Sequence, residues 1–318
     1  MPQGYANFAI GTLGLTSMMR VVHKIRRLTY PARMRLSEAL YRALYGWPAP
    51  PRARPADEQP FLAVTQALLA RWAQYRAASV DTTMSERDDM FVAGELDHYL
   101  WVGTSALEVI SEAMLLARKT AFHSLLDMPC GYGRVTRHLA KFFPDSELFV
   151  SEIDKAKQAF CATTFGGREI DLPADFLGEP ARHFDLIFVG SLLTHLDENQ
   201  SIDAIRYLLK ALSEGGLLIM TTQGRYATSQ AANLGYMRHD TLRSFMRRGF
   251  GYEARAGGDN RTAAAAAWVL RILESMPDAR VLCHKEQGWS LHQDVFVIER
   301  ATGWTWARPL KSRWPLLG

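Results

Sequence analysis

The chain has 318 residues, 48% of them hydrophobic, enough to bury one large domain with appendages or two modest ones. No continuous run of 18 apolar residues occurs, so no membrane span is expected, and Tyr5 to Met19 lacks the basic start and cleavage site of a signal peptide. The net charge of +4 is uneven: nine basic side chains against the single acid Glu38 give residues 1–55 a charge of +8, and the other 28 basic and 32 acidic residues give −4.

The basic character therefore belongs to an amino-terminal arm, closed by the proline-rich linker Trp47 to Pro55. The arm reads either as a docking element for an anionic membrane surface or a protein partner, or as a poorly ordered or self-packed extension. The acidic body gives no reason to expect a nucleic-acid substrate. Cys130, Cys161 and Cys283 are too few and too scattered for a disulfide framework or a zinc site, which suits a reducing cytoplasm. A cytoplasmic protein, with the arm allowing peripheral attachment at the inner membrane surface, is the expectation.

Along the chain, residues 56–121 form a helical region preceding the main domain. Leu62, Leu69 and Trp72 mark a helix from Pro60 to Ala78, and Leu107, Ile110 and Met114 mark another from Thr104 to Lys119. Between them lies the aromatic stretch Asp97 to Gly103. Its Tyr99 is placed either to close over a ligand or to lie half-buried in the core.

Residues 122–300 form the main domain. The run Phe122 to Asp127 ends in an acid, the loop Met128-Pro-Cys-Gly-Tyr-Gly-Arg134 follows, and Val135, Leu139 and Phe142 recur at helical spacing until Pro144. This is strand, glycine loop, helix, where small residues and unpaired helix-start N–H groups admit a ligand. Cys130, inside the loop, reads as a small loop-filling residue. A second strand ends at Glu152, about twenty residues beyond the loop, the offset at which an acid accepts hydrogen bonds from ribose hydroxyls. A third strand is expected near Arg168 to Leu172. A fourth, Phe184 to Gly190, is apolar enough to be buried on both faces, with Ser191 and His195 at its carboxyl end. A helix from Ser201 to Leu212 is stopped by Gly215 and Gly216, and a fifth strand, Leu217 to Thr222, runs into Gln223 and Arg225. Residues 226–278 read as a lid or substrate insertion, helical near Thr241 to Arg248 and again over the alanine-rich Thr262 to Ser275. Two closing strands, Arg280 to His284 and His292 to Arg300, precede a Trp/Arg tail at 301–318.

With these marks in place, residues 86–300 resemble a class I S-adenosylmethionine-dependent methyltransferase. The resemblance rests on Leu126-Asp-Met-Pro-Cys-Gly-Tyr-Gly-Arg134, Glu152, Phe184 to His195, and Leu212-Ser-Glu-Gly-Gly-Leu-Leu-Ile-Met-Thr-Thr-Gln-Gly224. The ending Gly288-Trp…His292-Gln-Asp-Val295 is similar to a bacterial subgroup of undefined substrate. The resemblance implies a Rossmann-like, doubly wound α/β fold: a seven-stranded sheet with the last strand antiparallel, an amino-terminal helical extension and an α-helical lid. It implies S-adenosylmethionine as cofactor and no metal. Asp127, Pro129, Cys130, Gly131 and Gly133 would line its methionine part, and Glu152 would bind the ribose. Ile153 would pack on the adenine, Asp171 would face the adenine amino group and Ser191 would lie beneath the sulfonium; Tyr99 joins this cofactor set from its place in the preceding aromatic stretch alone.

Pro129 stands where most of the superfamily has its first glycine, and Thr136 stands where a dinucleotide loop has its third, which turns the reading away from a nicotinamide enzyme. Gln223 occupies a place where the subgroup often carries histidine. His195 is the candidate base, the alternative being a histidine that caps or packs the next helix. Thr222, Gln223 and Arg225 are placed to orient the acceptor. The expected activity is methylation of a small-molecule or glycan-type acceptor, on oxygen. The alternative is a partner-binding or membrane-surface module that keeps the fold without catalysis.

Overall fold

The computed structural model describes residues 58–301; the basic arm, the proline-rich linker and all but the first residue of the tail lie outside them. Two helices, α1 (Glu58–Arg76) and α2 (Leu96–Ala117), lead into β1 (Ser124–Met128). Then come α3 (Thr136–Phe142), β2 (Glu147–Val150), α4 (Lys155–Phe165), β3 (Arg168–Glu169), β4 (Phe184–Val189), α5 (Glu198–Lys210) and β5 (Leu212–Thr222). The insertion holds α6 (Arg225–Asn233), α7 (His239–Arg248), β6 (Phe250–Glu253), β7 (Arg261–Ala264) and α8 (Ala266–Glu274), and β8 (Ala279–Trp289) and β9 (Gln293–Arg300) are the last of the described elements.

Seven strands form one sheet in the order β3-β2-β1-β4-β5-β9-β8. The first five are parallel, and β9 runs antiparallel to both β5 and β8. The order reverses between β1 and β4, so the carboxyl ends of β1, β2, β4 and β5 meet at the switch point where open α/β sheets bind ligands. Side chains alternate across the pleat. Leu126, Ile187, Leu218 and Phe296 pack with Ile205 and Leu208 of α5 and Trp268 and Val269 of α8. Their neighbours Leu125, Leu186, Leu217 and Val297 pack with Leu107, Ile110 and Met114 of α2 and Leu139 and Phe142 of α3. Cover on both faces is why these strands read as unbroken apolar runs.

Three elements depart from expectation. α2 begins at Leu96, before Gly103, so the aromatic stretch is its first half. Glycine lowers helix propensity by about 1 kcal/mol, yet a Cβ at Gly103 would lie 2.2 Å from His138 Cδ2 and 2.3 Å from the Arg134 carbonyl; the close approach of α2 and α3 requires the glycine. By length and composition α2 is apolar enough to cross a membrane, but more than half of that stretch is buried inside the protein. The glycines Gly215 and Gly216 do not precede the fifth strand; β5 begins at Leu212 and absorbs them as an irregularity against β4, with Gly215 at φ +70°. The alanine-rich run is not one helix. Residues 261–264 pair with Phe250–Glu253 as a hairpin, and the helix starts only at Ala266, so the insertion carries a two-stranded sheet besides its helices.

Candidate functional site

The loop between β1 and α3 is pinned by its own backbone. Pro129 has no N–H to give, and Cys130 N donates to Ser151 O at 3.1 Å, tying the loop to the end of β2. Gly133 N donates to Cys130 O at 3.0 Å, and Gly131 N donates to Glu152 Oε2 at 3.0 Å. The two glycines differ in what surrounds them. Gly131 has φ +52° and open space where a Cβ would be, whereas a Cβ at Gly133, φ +81°, would lie 2.3 Å from the Phe165 ring. Gly131 therefore leaves room for a ligand, and Gly133 lets α4 pack beneath the loop.

Glu152 is fixed by two backbone donors, Gly131 N on Oε2 and its own neighbour Ile153 N, at 2.9 Å, on Oε1. Each oxygen keeps a lone pair, so the carboxylate can accept from two hydroxyls at once. Beside it the Ile153 side chain is 83% exposed, an apolar surface with nothing packed on it. The Asp171 carboxylate, 75% exposed, is engaged elsewhere: it accepts from Lys155 Nζ at 2.5 Å, the ammonium that also reaches Glu152 O at 3.5 Å. Gln158, which sequence reasoning passed over, connects the two strand ends by donating to Val150 O and Ile170 O.

Asp127 supports the loop from below. It is only 1% exposed, and Thr136 Oγ1 donates to its Oδ2 at 2.6 Å, so the residue that replaces the third dinucleotide glycine is its partner. Burial is the main cause that pushes the carboxyl up to about 7, against the opposing effect of the Thr136 hydroxyl. Cys130 and Cys161 are both buried, and their thiols approach the Gly131 carbonyl at 3.6 and 3.2 Å. The neighbouring Cys161 and burial hold the Cys130 thiol far above its ordinary range, which leaves it without a nucleophile's thiolate.

At the end of β4, Ser191 adopts a left-handed backbone with φ 64°. A hydrogen-bonded triangle secures it. Ser191 N donates to Thr221 Oγ1 at 2.9 Å, Thr221 Oγ1 donates to Gln293 Oε1 at 2.6 Å, and Gln293 Nε2 donates to Ser191 Oγ at 2.9 Å. Behind it, Gly190 faces the indole of Trp289, whose N–H donates to Val102 O in α2. His195 follows the short 3-10 turn Leu192–Thr194, and its Nδ1 lies 2.9 Å from Asn260 O at the start of the hairpin. A carbonyl only accepts, so Nδ1 carries a proton, and in the neutral ring Nε2 is the lone-pair nitrogen.

The remaining residues divide. Tyr99 is buried, and its hydroxyl donates to Asp88 Oδ2 at 2.6 Å while its ring faces the guanidinium groups of Arg134 and Arg137. A cavity of about 450 Å³ lies there, lined by Met90, Val92, Glu95, His98, Tyr99 and Arg134. Thr222 is fully buried beneath the hairpin, its hydroxyl 3.4 Å from Ala264 O, and Gln223 O accepts from Ala264 N at 3.0 Å. The Gln223 Oε1 is buried without a partner among the described residues. Arg225 is exposed and donates through Nε and an Nη to Glu286 Oε1 at 2.9 and 2.6 Å, so its charge already has a counterpart. The loop, Glu152, Ile153 and Ser191 thus stand at neighbouring strand ends, while Thr222 and the Gln223 backbone anchor the insertion. Sequence reasoning missed the roles of Thr136, Gln293 and Arg134; the second of these falls inside the Gly288-Trp…His-Gln-Asp pattern.

Residues 126–218 match a family model described as a methyltransferase domain. No curated protein matches the chain. Among solved structures it is similar to an O-methyltransferase family protein from Burkholderia thailandensis, at 10% identity over 76% of this chain and 73% of that one, with a TM-score of 0.43. It is also similar to magnesium protoporphyrin IX methyltransferase from Synechocystis PCC 6803, at 11% identity over 76% and 97% of the two chains, TM-score 0.46. A third is 1,6-didemethyltoxoflavin-N1-methyltransferase from Burkholderia thailandensis, at 14% identity over 80% and 94%, TM-score 0.45. Identities this low say nothing of the acceptor. The match spans β1 to β5, so the parallel half of the sheet carries a methyltransferase domain of Rossmann-like fold.

Proposed function

We propose that the protein methylates a hydroxyl of a small-molecule or glycan-type acceptor. The observation that carries the cofactor site is the bond between Gly131 N and Glu152 Oε2: it locks the open loop to a carboxylate whose remaining lone pairs suit a ribose diol. The residues present fit the cofactor. Gly131 leaves the backbone approachable, Glu152 accepts from the ribose hydroxyls, Ile153 offers an apolar face to the adenine, and the Ser191 turn lies at the end of β4. Cys130 and Gly133 line the loop through their backbones, with Pro129, and Asp127 holds the loop from beneath. Asp171 joins the adenine site only by leaving Lys155.

S-adenosylmethionine, when bound, supplies a methyl group on a sulfonium, open to in-line displacement. The protein's part is alignment, which supplies about 7–11 kcal/mol of such a barrier, and removal of the acceptor's proton. His195 is the base of this reading. Its bond to Asn260 O places the lone pair on Nε2, the form a base needs, and ties that nitrogen's direction to the hairpin of the insertion. The insertion, through Asn260 and the Ala264 contacts with Thr222 and Gln223, then sets where the acceptor stands.

The test uses the purified full chain, methyl-labelled S-adenosylmethionine and a fractionated small-molecule extract. Label recovered as an O-methyl group supports the proposal; label on nitrogen or carbon refutes O-methylation. No label in any fraction, with the cofactor bound, favours the partner-binding alternative.

A further inference from the structure

Two arginines leave the loop on successive turns, and the structure uses them differently. Arg137 is buried and each of its three nitrogens donates at home: Nε to Gly133 O, one Nη to Asp81 O and Thr83 O, the other to Tyr132 O. Arg134, half-buried, makes no hydrogen bond or ion pair among the described residues. Its guanidinium is held between the rings of Tyr99 and Trp289, 5.8 and 5.9 Å from their centroids. Each ring is itself fixed, Tyr99 by Asp88 and Trp289 by the Val102 carbonyl. The fork of donors is therefore oriented without being consumed, and it borders the 450 Å³ cavity. On the rim of that cavity Met90 and Val92 are 55% and 63% exposed, apolar surface left without cover. A partly desolvated guanidinium is unfavourable without an acceptor, and a planar fork matches a carboxylate through two parallel bonds.

We propose that Arg134 recognises a carboxylate of a ligand seated in this cavity, with Met90 and Val92 covering that ligand's apolar part. The inference rests on the methyltransferase reading, since the cavity adjoins the cofactor loop. The carboxylate belongs either to the amino-acid end of the cofactor or to the acceptor, and one experiment separates the two.

Binding of S-adenosylhomocysteine and of 5′-methylthioadenosine, which lacks the amino-acid end, is measured by calorimetry on the full chain and on Arg134→Met. The wild-type chain and the variant are also given labelled cofactor with the anion-exchange-retained fraction of a small-molecule extract. If the cofactor supplies the carboxylate, the variant binds S-adenosylhomocysteine about 10- to 100-fold more weakly and methylthioadenosine unchanged. If the acceptor supplies it, both nucleosides bind as before and labelling of the retained fraction is lost. Equal weakening of both nucleosides, or unchanged binding with unchanged labelling, overturns the inference alone. Failure of the wild-type chain to bind S-adenosylhomocysteine overturns the inference together with the function it rests on. Arg134→Lys, which keeps the charge and loses the fork, is read in the same way should the methionine variant fail to fold.

Discussion

The two glycines of the loop make opposite predictions, and exchanging each for alanine separates folding from binding. At Gly131 the new methyl group meets nothing within 4 Å, so the cost is that of an alanine at φ +52°, about 1–2 kcal/mol. At Gly133 the same backbone cost applies, and the methyl group would also lie 2.3 and 2.8 Å from two Phe165 ring carbons and 3.3 Å from Cys161 Sγ. Overpacking of that kind adds about 1–3 kcal/mol, for a total of about 2–5 kcal/mol. In a domain of this size each kcal/mol lowers the melting temperature by about 2–4 °C. Gly133→Ala should then melt about 4–20 °C below the wild type, against about 2–8 °C for Gly131→Ala. Calorimetry with S-adenosylhomocysteine supplies the second reading. Gly131→Ala should weaken binding at temperatures where it is fully folded, because its methyl group occupies the space left to the ligand. A Gly133 variant as stable as the wild type, or a Gly131 variant that binds normally, would refute the division of labour drawn between them.

Glu152→Gln should lower affinity for S-adenosylhomocysteine about 10- to 100-fold, the value of a charge-assisted hydrogen bond, and an unchanged dissociation constant in calorimetry would remove Glu152 from the ribose site. Asp127 makes stability depend on pH. Its carboxyl titrates near 7 when folded and in the ordinary acid range when unfolded, so between about pH 4 and 7 the folded chain binds the extra proton and stability falls as pH rises, then levels above 7. The shift corresponds to about 4 kcal/mol, and urea titrations across that window should show a smaller slope for Asp127→Asn than for the wild type; parallel slopes would refute it. His195→Asn should reduce turnover about 10²- to 10⁴-fold while leaving cofactor affinity intact, and unchanged turnover would make the histidine a tether for Asn260 only.

What the residues disclosed on their own was local chemistry. The strand, loop and helix around Gly131 could be read because the periodicity changes across two glycines within a few residues, and Glu152 because its offset from the loop is set by one βαβ unit. The difference between Gly131 and Gly133 could not, since it depends on Phe165 at the far end of α4. Nor could the two arginines be told apart, one spent on backbone carbonyls and the other held open between aromatic rings. The hairpin at 250–264 escaped for a related reason. Ala263 and Ala264 favour a helix by propensity, yet both are buried, paired with Gly251 and Phe250, and Ala264 N is bonded to Gln223 O just beyond β5.

The carboxyl-terminal pattern Gly288-Trp…His292-Gln-Asp-Val295 gains a physical meaning from the sheet order. Because β9 lies between β5 and β8, the residues at its start reach the ends of β4 and β5. Trp289 fills the space that Gly190 leaves and bonds to α2, so it joins the helical cover to the floor of the site. Gln293 bridges Ser191 and Thr221, and these bonds offset the cost, about 1–2 kcal/mol, of a serine at φ 64°. Asp294 accepts from Gln287 N at 3.1 Å and fits against the chain only because Gly224 has no side chain, a Cβ there falling 1.9 Å from its Oδ2. The β8–β9 hairpin is thus a structural part of the site that the β1–α3 loop opens. A substitution at Gln293 should accordingly act at the Ser191 turn, more than a hundred positions earlier in the chain, before it acts on its own strand.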